Sequence, residues 1–357
     1  MKKIDIFAHI LPEKFLDYGA KHVINWEKLR TTGWLALWPT LCPALWNMDK
    51  RLKIMDKYED YVQVLVPPGE TGFYCSPEDE LALARAYNDA VAEIVRKHPS
   101  RFVGAAAYMP LHNIDAALKE IDRAIDELGF KGIYLETPVY EITDSDYNYN
   151  YETMKPLDSP EFIPIYENMA RRKLPIWIHP VGQGGTPVYR GEERDKYGLY
   201  LTFGWPLESA MAMSRLVCSG ILAKYPDLRF IIHHCGSGMV PMLANRIDCE
   251  TDFFKALGMK SGQFGEGDPF DTKRPTDYFR MFYGDTALDG GMPGLMCGHA
   301  FFGAKHIMFG TDFPYDIEGG DKFIRTIIDA VNEMNVSEAD KVKIFDGNAK
   351  RILGLSG

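Results

Sequence analysis

The chain has 357 residues, of which 46% are hydrophobic and 25% charged, and it carries a net charge of −10 at pH 7. This is the composition of a soluble globular protein able to bury a large core. The acidic balance speaks against nucleic acid or an anionic membrane surface as the main partner, since neither is attracted to it.

In chain order, the amino terminus MKKIDIFAHILPEKF is interrupted by Asp5 and His9 and does not have the apolar run of a signal peptide. No later stretch approaches the ~20 apolar residues of a membrane span, so the expected location is the cytoplasm. Short apolar runs, each closed by a polar or turn residue, then alternate with segments of helical period, the pattern of repeated βα units. The strand candidates are IDIFAH (4 to 9), YVQVLVP (61 to 67), FVGAAAYMP (102 to 110), FKGIYLET (130 to 137), LPIWIHP (174 to 180), RFIIHHCG (229 to 236), FRMFYGDTA (279 to 287) and HIMFGTDFP (306 to 314). Helical periods follow most of them, as at 76 to 98 and 113 to 129. Eight such units predict an α/β protein built as a single (β/α)₈ TIM barrel spanning 1 to 357. The competing open, doubly wound sheet lacks its glycine fingerprint after the first strand.

Segments 12 to 48, 138 to 157 and 181 to 205 are too long for simple connections, and all follow carboxyl ends of expected strands, where barrel sites are built. The first carries Trp26, Trp34, Trp38 and Trp46 and reads as a small insertion capping the barrel, or equally as a subunit interface. The closing segment 336 to 357 opens on Ser337 with Asp340 three residues on, a capping-box arrangement for a carboxyl-terminal helix. Cys42, Cys75, Cys218, Cys235, Cys249 and Cys297 are scattered with no CxxC pair, and read as reduced thiols. The pairs Gly184-Gly185 and Gly290-Gly291 allow backbone to approach a ligand, and ordinary turns account for them as well.

Strand alternation puts Asp5, Phe7 and His9 on one face, with His9 at the top. His179 ends the fifth strand, His234 the sixth and Asp312 the eighth. Each alone has a structural explanation, but four ligand or acid–base side chains at the carboxyl ends of separate barrel strands converge on one axis, where catalytic groups of this fold collect. By the same alternation His233 is expected to face the helix layer.

These motifs carry a resemblance. IDIFAHILP, RLKIMDKYEDYVQVL with Arg51, PIWIHP with His179, FIIHHCGSGMVP with His234 and FGTDFPYD with Asp312, in this order, resemble the amidohydrolase superfamily. Within it, they are similar to the branch of aminocarboxymuconate-semialdehyde and γ-resorcylate decarboxylases. The resemblance implies a homodimeric, metal-dependent nonoxidative decarboxylase of an aromatic or conjugated carboxylic acid. It implies one divalent cation, zinc or alternatively manganese, on His9, His179 and Asp312, with His234 and Asp312 as catalytic acid–base groups and Arg51 on the substrate carboxylate. The position of the family's first ligand holds Phe7, which cannot donate to a metal, and Glu136 at the end of the fourth strand is a candidate replacement. A metal-dependent hydrolase or hydratase, and a metal-free binding or noncatalytic barrel, remain the alternatives.

Overall fold

Runs rich in β-branched and aromatic residues form eight strands: β1 (Lys3–His9), β2 (Tyr61–Val66), β3 (Phe102–Tyr108), β4 (Gly132–Thr137), β5 (Pro175–Pro180), β6 (Arg229–Ile232), β7 (Tyr283–Asp285) and β8 (Ile307–Met308). They pair in parallel in chain order, β1 to β8. The last seam closes through backbone bonds from the Ile6 amide to the Phe309 carbonyl (3.0 Å), from His9 to Phe313 (2.7 Å) and from Asp312 to Phe7 (3.0 Å). Helices such as Pro77–Lys97, Ile163–Arg172 and Trp205–Cys218 lie between successive strands, and Asp321–Glu333 follows the last. This is a TIM barrel, as the βα periodicity predicts. The computed structural model describes residues 1–22, 40–68, 77–139, 154–181, 197–236, 238–262 and 267–355. Trp26, Trp34, Trp38, Cys75, Gly184 and Gly185 lie outside these, and with them most of the expected cap.

Two apolar regions hold the barrel. The larger fills the layer between strands and helices, with Leu65, Phe102, Tyr166, Phe230 and Ile327 among its members. The smaller plugs the barrel interior with Ile6, Phe7, Tyr134, Trp177, Ile231 and Met308. Trp177 is fully buried, and its indole nitrogen donates to the Ile6 carbonyl at 3.0 Å, tying β5 to β1 across the interior. A buried tryptophan removes about 200 Å² from water, roughly 5 kcal/mol of transfer free energy, so this contact organises the floor beneath the site.

The last three strands are shorter than the sequence suggests. β6 stops at Ile232 because His234 and Cys235 take left-handed backbone conformations. The expected seventh strand starts late, because Phe279 ends the helix Pro275–Phe279 and residues 280–282 turn before β7, and β8 keeps two residues before the chain turns into GTDFP. At the carboxyl end, the Ser337 hydroxyl caps the helix Glu338–Val342 by accepting from the Asp340 amide (3.1 Å), and the helix Asn348–Leu353 follows.

β4 can lie against β5 only because residue 132 has no side chain. A Cβ there would stand 2.2 Å from the Pro175 carbonyl oxygen and 2.7 Å from the Trp177 ring. Gly132→Ala is therefore expected to destabilise the protein by about 1–3 kcal/mol, since neither backbone nor a packed indole can yield cheaply. Denaturant unfolding measures this, and an unchanged midpoint would mean that the two strands are free to part.

Candidate active site

The carboxyl ends of β1 and β5 and the turn after β8 bring His9, His179 and Asp312 together, with one donor atom from each lying within 4.8 Å of the others. The hydrogen bonds show which atoms are free. His9 Nδ1 is 2.5 Å from the Pro67 carbonyl oxygen. A carbonyl can only accept, so Nδ1 carries the proton and Nε2 presents its lone pair. That lone pair faces Asp312 Oδ1 at 3.1 Å. Burial lowers His9 to about 3, so the ring is neutral, and burial pushes Asp312 up to about 8. At pH 7 the Asp312 carboxyl is then largely protonated and donates to that lone pair, and a cation placed between the two would displace this proton. A divalent ion placed there would favour the carboxylate and reverse the shift on Asp312.

His179 adds the second observation. It is 1% exposed, and neither ring nitrogen has a hydrogen-bond partner among the described residues. Burying an imidazole with both nitrogens unsatisfied costs free energy unless something else binds it. Burial, followed by the neighbouring His9, His233 and His234, holds its pKa well below the usual histidine value. Two neutral imidazoles and a carboxylate form a donor set that suits zinc or manganese with open positions for substrate. The residues present therefore fit a divalent cation.

The structure also corrects and extends the expected residues. His233 does not face the helix layer. Its ring stacks on Phe7 at 3.5 Å between centroids, and its centroid lies 5.7 Å from that of His179. Alternation fails because it takes His234 as the last residue of the strand. The strand ends two residues earlier, and the left-handed turn (φ +58° at His234, +54° at Cys235) brings both imidazoles to the same cluster. His234 donates from Nδ1 to the Ala287 carbonyl at 3.2 Å, which leaves its buried Nε2 free. Its ring is 5.8 Å from His179 and 5.8 Å from Trp205.

Asp285, at the end of β7, was not singled out in the sequence. It is fully buried, and accepts from His233 Nδ1 (2.7 Å), the Cys235 amide (3.1 Å) and the Ala287 amide (3.0 Å). One carboxylate thus braces the left-handed turn and fixes an imidazole. The available signal was a carboxylate closing a strand within YGDTA, as Asp312 does within GTDFP. Trp205 was also missed: it closes the long segment 181 to 205 and was not singled out, yet it begins the helix Trp205–Cys218. Its ring stands 5.2 Å from that of His179.

Arg51 is placed differently from the sequence expectation. It is fully buried, with Nε donating to Gln63 (2.8 Å) and Nη1 to the carbonyls of His9 (2.7 Å) and Ala44 (3.4 Å). The guanidinium also lies over Phe313 at 4.7 Å. These acceptors hold it against the backbone of His9, while its Nη2 is buried with no hydrogen-bond partner among the described residues. Glu136 pairs in register with His179 but lies outside the three-donor set. Its Oε1 is buried without a partner, and burial pushes its pKa to about 8, so it is largely a neutral acid at pH 7.

The chain is similar to known proteins along nearly its whole length. The amidohydrolase family profile matches residues 34–355. The chain is similar to the 2-amino-3-carboxymuconate-6-semialdehyde decarboxylase of Dictyostelium discoideum, at 26% identity over 99% of this chain and 92% of that protein. It is similar to the γ-resorcylate decarboxylase of Polaromonas sp. strain JS666, at 29% identity over 89% and 91%. A crystal structure of the dihydroxybenzoic acid decarboxylase of Polaromonas sp. JS666, with bound manganese and the inhibitor 2-nitroresorcinol, superposes with a TM-score of 0.76 at 25% identity, covering 99% of this chain and 97% of that one.

A ligand that binds only the folded state at a hundred times its Kd adds about 2.7 kcal/mol of stability. Mn²⁺ is expected to raise the melting temperature of chelator-treated protein accordingly. His179→Leu keeps the bulk and removes two unsatisfied nitrogens. It should leave metal-free stability within about 1.5 kcal/mol and abolish the Mn²⁺ effect. Thermal unfolding with and without chelator checks both, and a full Mn²⁺ shift in the variant would remove His179 from the site.

Proposed function

The chain belongs to the amidohydrolase family, and on that premise we propose that it is a nonoxidative decarboxylase of an aromatic or conjugated carboxylic acid, using one divalent cation on His9, His179 and Asp312. The observation that carries this reading is the convergence of His9 Nε2 and Asp312 Oδ1, 3.1 Å apart, beside an imidazole whose two nitrogens have no partner among the described residues. The decarboxylases among its relatives, and the manganese in a similar decarboxylase structure, support both the reaction and a divalent ion.

Bound there, a divalent cation supplies a Lewis acid that stabilises negative charge as the carbon–carbon bond breaks. Pro67, through its carbonyl, keeps the His9 proton on Nδ1 and so holds the Nε2 lone pair toward the site. Arg51 grips the His9 carbonyl and fixes the end of β1, and so acts through His9. His234, held by the Ala287 carbonyl at Nδ1, takes a proton at Nε2 and gives it to the ring carbon as the carboxylate leaves as carbon dioxide. One proton is consumed for each carbon dioxide released. Trp205, beside His179 and His234, walls the substrate space and excludes water, which strengthens each electrostatic contact inside it.

Zinc is the ion we favour, with manganese as the alternative, and we place the enzyme in the cytoplasm as a homodimer. No helix among the described residues is long and apolar enough to cross a membrane. Exposed apolar side chains at Met242, Phe253, Phe254 and Leu257 on and just beyond the helix Met239–Ala256 support a subunit contact.

Carbon dioxide release across a panel of hydroxybenzoic and conjugated carboxylic acids tests the proposal. At least one should be decarboxylated, and His234→Ala should cut turnover by about 10²–10⁴-fold with unchanged circular dichroism. Asp312→Ala should lose both metal and turnover. Near-normal turnover in either variant would remove that residue from the mechanism, and hydrolysis without carbon dioxide would replace the reaction.

A further inference from the structure

Phe7 deprives the site of a second first-strand donor beside His9, and a ring stacked on Phe7 is an imidazole. His233 stacks on it with centroids 3.5 Å apart and planes 15° from parallel. We propose that His233 supplies the donor that Phe7 cannot, binding the cation through Nε2 as a fourth protein ligand; this rests on the preceding reading that an ion sits between His9, His179 and Asp312.

Three observations carry it. First, His233 Nδ1 is 2.7 Å from Asp285 Oδ2, and a carboxylate backing one nitrogen of an imidazole is the arrangement that orients metal-binding histidines and raises their basicity. Second, Nε2 of this completely buried ring has no partner among the described residues, so its lone pair is paid for by nothing else in view. Third, the two adjacent histidines are equipped differently. His234 rests on a backbone carbonyl and lies beside Trp205, a setting for proton transfer to a bound ring. His233 rests on a carboxylate beneath it, with its centroid 5.7 Å from that of His179. Without an ion its nitrogen stands outside the 4.8 Å donor set. Ligation by Nε2 would require the ring to shift toward His179 along the face of Phe7.

Pulsed electron paramagnetic resonance of the Mn²⁺-loaded protein counts coordinated imidazole nitrogens directly. The proposal expects three in the wild type, from His9, His179 and His233. His233→Gln, whose amide can still donate to Asp285, should show two, with Mn²⁺ affinity at least tenfold weaker in chelator competition. Phe7→His in that background should restore the third nitrogen and most of the affinity, which a merely structural role for His233 would not produce. Two nitrogens in the loaded wild type, or an unchanged count in His233→Gln, would overturn the proposal and leave the three-ligand site standing. Failure of the wild type to take up Mn²⁺ at all would overturn the cation itself, and this inference with it.

Discussion

A carbonyl oxygen cannot donate, and that constraint organises the site. Pro67 and Ala287 each offer a carbonyl to a histidine Nδ1, and the Asp285 carboxylate offers an acceptor to a third. Each of the three rings turns Nδ1 to its acceptor and presents Nε2 on the opposite side. The barrel contributes by placing these acceptors at the carboxyl ends of neighbouring strands, where β2 and β7 end beside the histidines of β1 and the turn after β6.

Holding this arrangement is costly, and the surrounding structure is built to bear it. His234, Cys235 and Asp312 all have left-handed backbone conformations, at about 1–2 kcal/mol each for residues with a Cβ. Each turn is held by specific bonds: Cys235 and Ala287 donate to Asp285, and the Asp312 amide donates to the Phe7 carbonyl. Behind β1 a second polar chain runs from Arg51 through Gln63 and Tyr61 to Asp5, which also accepts from the Thr311 amide and hydroxyl. That chain joins the first strand to the loop after the last, so the seam of the barrel and two of the expected ligands are fixed by one network.

Much of this was legible in the sequence, for identifiable reasons. The alternation of period-2 and period-3.6 segments gives the eight units, and the polar residues closing the first, fifth and eighth strands are the three whose donors converge. What was hidden depends on backbone conformation or on partners distant in the chain. His233 was assigned outward because alternation says nothing about where a strand ends, and this one ends at Ile232. Asp285 acts on residues about 50 positions away, which no local pattern reveals. Arg51 sits in a recognisable motif, yet the motif is silent on the fact that its fork turns inward to backbone carbonyls.

The central claim is that this cage of lone pairs exists to hold a cation that the reaction requires. Elemental analysis of protein purified without added metal, paired with carbon dioxide release before chelation, after chelation and after metal is returned, tests it most directly. The account predicts one divalent ion per chain, loss of turnover with its removal and recovery on its return. Undiminished turnover in protein without stoichiometric metal would contradict it.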